Sequence, residues 1–244
     1  MKKVILLLFV LFFFFIGCTT HNDLKTTPYE KTNAEDFQAC LKQGTQYLNQ
    51  KEYNNAIFQF REATNLKPKS ERALNLLGIT YFMKKDYKKA KAQFKKVISF
   101  NDSYAQAVCN LGAVYFKEGN MGKAEKMFRK SIELSSTMVS PYYSLGNLLI
   151  SKGKKEEGFS FLAKAVRMNP CFLESNNSFV TVSSYATVKD PEIWFEYAKL
   201  YASVGDFKRT SEYLDKAKAT GFRDWKRVEK ENEFEGYRNR SKSK

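Results

Sequence analysis

The sequence predicts an all-α chain folded as an α-solenoid of about five helical hairpins, with a C-terminal capping segment. Three observations carry this. The stretch 71–104, ERALNLLGITYFMKKDYKKAKAQFKKVISFNDSY, lays over its neighbours when the chain is slid by thirty-four residues. Small residues recur at the eighth position of each block (Gly44, Gly78, Gly112, Gly146, Ala198) and at the twentieth (Ala56, Ala90, Ala124, Gly158). Large residues recur at the eleventh (Tyr47, Tyr81, Tyr115) and the twenty-fourth (Phe60, Phe94, Phe128). A period of this length is one supersecondary unit that cannot bury its apolar face alone, so at least three must stack.

Four blocks abut, 37–70, 71–104, 105–138 and 139–172, and a fifth at 191–224 follows an insertion at 173–190. Glycine inside a helix costs roughly 1 kcal/mol against alanine, so its recurrence at one offset needs a packing reason. The expected reason is close approach of the two helices of a hairpin. The recurring aromatics are expected to fill the seam between neighbouring hairpins.

The combination of Leu77-Gly78 with Tyr81, Ala90 and Phe94, repeated as Leu111-Gly112 with Tyr115, Ala124 and Phe128 and as Leu145-Gly146 with Leu162, Ala165 and Pro170, resembles the tetratricopeptide repeat. The resemblance runs from Phe37 to about Asp224. It implies a concave groove lined by the first helix of each unit, at offsets two, five, nine, twelve and thirteen, and a role in binding proteins or peptides. Those offsets give Arg72, Asn75, Ile79, Phe82 and Met83, then Gln106, Cys109, Ala113, Phe116 and Lys117. Further along they give Ser140, Tyr143, Asn147, Ile150 and Ser151, then Glu192, Phe195 and Lys199. Phe82, Phe116, Tyr143 and Phe195 are the candidate apolar anchors, beside Ile79 and Cys109. Asn75, Asn110 and Asn147 are candidates to bond a peptide backbone. The alternative is that some of these aromatics only pack between units. The carboxylate clamp of the chaperone-binding members is missing, because its Lys and Asn positions hold Leu41 and Thr45, or Asn75 and Ile79 one unit on.

Taken in order, 1–17 reads as a signal peptide. Lys2-Lys3 precedes a run of thirteen apolar residues, 4–16, too short to span a bilayer as a helix. The run ends in Gly17-Cys18, which resembles a bacterial lipobox and implies lipidation of Cys18. The alternatives are an uncleaved anchor or an ordinary signal peptide. Thr19 after the Cys is similar to outer-membrane lipoproteins, if the organism has two membranes. Residues 18–33, with Pro28, read as a polar tether, and Asn33 as the N-cap of the first helix. The solenoid is expected over 34–224. Within it Ser140-Pro141 reads as a cap and first position. The insertion 173–190 is rich in Ser, Thr, Val and aromatics and reads as an irregular connector or degenerate helix, or as a partner-contacting loop. In 225–244, Trp225, Val228, Phe234 and Tyr237 can make a capping helix, followed by a basic tail from Arg238.

The formal charge is +15. Lys84, Lys85, Lys88, Lys89, Lys91, Lys95 and Lys96 crowd one second helix and its turn, either as a solvated face or as a surface for anionic headgroups, cell-wall polymers or an acidic partner. Nucleic acid is disfavoured, since the aromatics occupy packing offsets and do not interleave with the basic run. Of four cysteines, Cys40, Cys109 and Cys171 read as small hydrophobes, with neither metal nor redox chemistry. The single histidine, His21, lies in the tether, so no Ser-His or Cys-His pair and no His-based zinc set is expected in the repeats. Glu156-Glu157 reads as a solvated helix start. No cofactor and no catalysis are expected. The expected function is a membrane-anchored, non-enzymatic adaptor or scaffold of the bacterial cell envelope. The alternative is an envelope tether that holds anionic polymer on its lysines.

Overall fold

The computed structural model describes residues 28–170 and 190–242. Every element in those residues is helical, and ten helices pair into five antiparallel hairpins. Unit one is α1 (Pro28–Asn49) and α2 (Tyr53–Leu66), and unit two is α3 (Glu71–Met83) and α4 (Tyr87–Phe100). Unit three is α5 (Ala105–Lys117) and α6 (Met121–Leu134), and unit four is α7 (Val139–Ser151) and α8 (Lys155–Met168). Unit five is α9 (Pro191–Ala202) and α10 (Phe207–Thr220). The chain then makes α11 (Lys226–Lys230), a 3₁₀ turn (Asn232–Phe234) and α12 (Glu235–Lys242). Residues 1–27, with the leader and Cys18, lie outside the described residues, as do Cys171 and all of the insertion but Asp190.

The turn inside each hairpin is built the same way. The fifteenth residue of every unit has a left-handed backbone: Lys51 (φ 62°), Lys85 (66°), Gly119 (78°), Gly153 (81°) and Gly205 (75°). The next residue opens the second helix. Asp86, Asn120 and Asp206 accept the backbone N–H three residues on through their side chains. Ser70 caps α3 in the same manner, accepting from the Ala73 N–H at 3.2 Å.

The recurring glycine and phenylalanine prove to be one device. A Cβ on Gly78 would lie 2.6 Å from the Phe94 ring, and Gly44 and Gly112 meet Phe60 and Phe128 alike. The glycine is a seat for the aromatic of its own hairpin, and the same ring also belongs to a core cluster that spans neighbouring units. Unit four solves the same problem by closing up. There the ring is replaced by Leu162, and Gly146 meets the backbone carbonyl of Gly158, with 2.8 Å from an added Cβ to that oxygen.

Three boundaries differ from expectation. α1 starts at Pro28 and runs through Asn33, so part of the predicted tether is helix. Proline suits a helix start, where its missing N–H leaves nothing unpaired. α7 begins at Val139, so Ser140 is inside the helix and buried, and it caps nothing. The predicted tail from Arg238 is helical to Lys242. Arg238 donates to the carbonyls of Val228 and Glu231, at 2.8 Å each, which ties α12 to the segment before it.

Across the insertion, units four and five share one core. Tyr142, Tyr143, Leu162, Ile193, Tyr197 and Tyr201 are buried in a single cluster. Tyr213 stacks on Tyr197 at 5.2 Å and on Tyr201 at 5.4 Å.

Candidate protein-binding groove

The first helices α3, α5, α7 and α9 bring the predicted groove residues into register, one set per unit. Most of them are consumed by the contact between units. Asn75 is 5 % exposed, Ile79 3 %, Asn110 3 % and Tyr143 8 %, while Cys109, Asn147 and Phe195 are fully buried. The expectation that these seven side chains stand open to a ligand is therefore corrected.

Their polar atoms are used laterally. The Asn110 amide donates to Asn75 Oδ1 at 2.9 Å, and the Gln106 amide donates to Asn110 Oδ1 at 3.3 Å. The Tyr197 hydroxyl donates to Asn147 Oδ1 at 2.7 Å, joining units four and five. Asn110 and Asn75 thus link units two and three, and Asn147 links unit four to unit five through Tyr197. Cys109 Sγ sits 3.8 Å from Ser140 Oγ, and burial pushes its thiol up to about 12, far from a reactive thiolate.

What stays open is the strip at offsets twelve and thirteen of units two and three. Phe82 and Phe116 are each partly buried against the Cys109–Leu149 cluster. Phe82 leans on Tyr87, ring centroids 5.5 Å apart. Met83 is 38 % exposed beside it. Lys117 completes the strip, and burial, with Lys85 nearby, holds its ammonium below the usual lysine range. The strip offers two partly exposed aromatics and a thioether, which suits an apolar side chain.

In unit five the fifth-offset Phe195 is covered by the chain itself. Phe222 stacks on Phe195 at 4.4 Å with an interplanar angle of 11°, and Phe234 closes from the side at 5.4 Å. The Arg227 guanidinium lies 4.2 Å over Phe195 and reaches Glu192 at 2.7 Å, Glu196 at 3.0 Å and Glu231 at 2.7 Å. Lys199 adds Glu231 at 3.1 Å. Sequence reasoning named Phe234 as part of a cap but missed Phe222, Arg227 and Glu231. Only the mixed charges of 226–233 hinted at them, since they have no counterpart thirty-four residues back.

Among the described residues no three His, Cys, Asp or Glu side chains converge to hold a metal ion. Glu157 at the start of α8 pairs with Arg129 of α6 at 2.8 Å.

With this geometry in view, the tetratricopeptide repeat matches residues 37–70, 71–104, 105–137 and 139–170, more than half of the chain. This is a tetratricopeptide-repeat protein. Such repeats generally serve protein–protein interaction through their extended concave surfaces. Among solved structures, one from a study of Pseudomonas aeruginosa pilF is similar at TM-score 0.56 and 16 % identity, covering 87 % of this chain and 93 % of its own. A thermophilic TPR protein of Thermus thermophilus gives 0.54 and 18 %, with coverage of 79 % and 96 %. MamA gives 0.50 and 19 %, with 81 % and 97 %. At such identities the likeness is one of fold. No curated protein matches the chain in sequence.

Proposed function

We propose that this repeat protein is a non-enzymatic adaptor of the bacterial cell envelope, held to a membrane by lipid on Cys18 and binding a protein or peptide in its groove. The observation that carries the binding half is the open strip of units two and three. Phe82 and Phe116 are the two predicted anchors that inter-unit packing leaves partly exposed. A ligand lying there meets one aromatic per unit, and such anchors dominate binding energy where they become fully desolvated. The membrane half rests on the sequence: an apolar run ending in Gly17-Cys18, with Thr19 next, which favours the outer membrane of a two-membrane cell.

The test is affinity capture from detergent-solubilised membranes with the wild-type chain and with Phe82→Ala/Phe116→Ala. The wild type should retain a specific partner and the double variant should lose it at least tenfold, with helicity unchanged. Equal capture by both would sink the groove reading.

A further inference from the structure

The second helices show solvent a repeated outer face, at offsets eighteen, twenty-two, twenty-five, twenty-six and twenty-nine. In unit two that face holds Lys88, Lys95 and Lys96, all exposed. α4 carries five lysines and no acidic residue, whereas α2, α8 and α10 mix both signs. Two of the five are engaged: Lys91 with Glu118 at 2.6 Å, and Lys89 with Asp86 at 3.1 Å. Lys88, Lys95 and Lys96 make no ion pair among the described residues, and neither do Lys126 and Lys130 on the same face of α6. On α2 the same row carries Phe58, whose 61 % exposure is the highest of the large exposed apolar side chains among the described residues. Between units three and four, Arg129 on α6 reaches Glu157 at the start of α8 at 2.8 Å. The outer rows of α2, α4 and α6 thus carry an exposed phenyl ring and five lysines without an ion pair among the described residues, against the two acids Glu62 and Glu133 at the same offsets.

We propose that this convex face of units one to three rests on an anionic bilayer. The charge is complementary to acidic headgroups, and lysine stems let the cations stay at headgroup level while an aromatic enters the acyl boundary. The phenyl ring favours a bilayer over a soluble polyanion, because a hydrated polymer offers it no apolar phase. Placement agrees, and here the inference rests on the lipid-tether reading. Unit one starts at Pro28, ten residues after Cys18, and ten residues span at most ~35 Å. A chain lying on its convex side turns the Phe82–Phe116 strip away from the membrane, open to a partner.

The test uses full-length protein purified from membranes and two kinds of vesicle, phosphatidylcholine alone and phosphatidylcholine with phosphatidylglycerol. Wild type should bind the anionic vesicles more tightly, and the increment should fall as salt rises. Lys88→Gln/Lys95→Gln/Lys96→Gln should cut that increment about a hundredfold, the combined effect of three lysines near such a surface. All three lie on an exposed helix face, so the variant should keep wild-type helicity. Phe58→Ala should weaken anionic-vesicle binding several-fold even at high salt, where the lysines are screened. Cys18→Ala, which should lower binding to both vesicles equally, reports separately on the tether, and the face itself is judged from the anionic increment alone. An increment equal in wild type and the triple variant overturns the proposal. Capture of soluble polyphosphate with no phosphatidylglycerol increment overturns it too, in favour of a polymer ligand.

Discussion

Units two and five share a fold and differ in what covers the concave side of their first helix. In unit five the fifth-position Phe195 is sealed by Phe222 and Phe234 and braced by Arg227. In unit two the fifth-position Asn75 is sealed by Asn110 of the next unit, while Phe82 stays partly exposed. An internal unit is covered by its neighbour; the last one must be covered by something the repeat does not encode. The C-terminal segment supplies that cover over Phe195.

The largest effect that sharpens this contrast is Phe234→Ala. Phe234 is fully buried, and truncating a buried phenylalanine costs about 3–5 kcal/mol through lost burial and the cavity left behind. Contacts in a solenoid run only between neighbours, so the loss should fall on unit five and the clasp. Native-state hydrogen exchange should show α9 and α10 losing protection while α3 and α5 keep theirs. Uniform loss across all units would break the comparison.

A smaller effect comes from pH. Burial pushes the Glu231 carboxyl up, but hydrogen bonds from Arg227 and Lys199 outweigh it and hold the group below its ordinary 4.5. A carboxylate depressed on folding contributes stability that is complete above its unfolded value and is lost as pH falls through the lower folded one. The clasp should therefore be intact at neutral pH and loosen on acidification below about 4. The reporter is Trp225, in edge contact with Phe222 at 5.2 Å. Its fluorescence should change on acidification before the far-ultraviolet helical signal does. Simultaneous change would mean that the clasp has no separate stability.

Much of this was legible beforehand, and the failures have one cause. The thirty-four-residue period placed the first four hairpins, and the same offsets, shifted by the insertion, placed the fifth, because small and large side chains at fixed offsets are imposed by hairpin geometry itself. Gly78 and Phe94 illustrate it: both recur in the sequence at fixed offsets, but that the ring sits on the glycine was seen only in the structure. The groove was less legible, because exposure at a fixed offset depends on what the next unit carries. Asn110 covers Asn75, Tyr197 bonds Asn147 and Phe222 covers Phe195, and none of these pairings repeats. The start of α1 at Pro28 escaped because no apolar period marks its first turns.

The smallest effect lies in the hairpin turns, where units two and five also part company. Unit five bends at Gly205 (φ 75°), unit two at Lys85 (φ 66°), and both are left-handed. An L-residue with a Cβ is disfavoured there by roughly 1–2 kcal/mol, whereas glycine adopts the conformation freely. Lys85→Gly relieves that cost but adds conformational freedom to the unfolded chain, which offsets roughly 0.5–1 kcal/mol of it. The net gain should be below about 1 kcal/mol, a rise of a few degrees in Tm for a domain of this size. The reverse change, Gly205→Lys, should lose a similar amount, with nothing within 4 Å of the added Cβ to confuse the reading. If Lys85→Gly instead lowered Tm, then the Lys85 side chain would be holding the turn, and unit two would be fastened by a contact for which unit five has no equivalent.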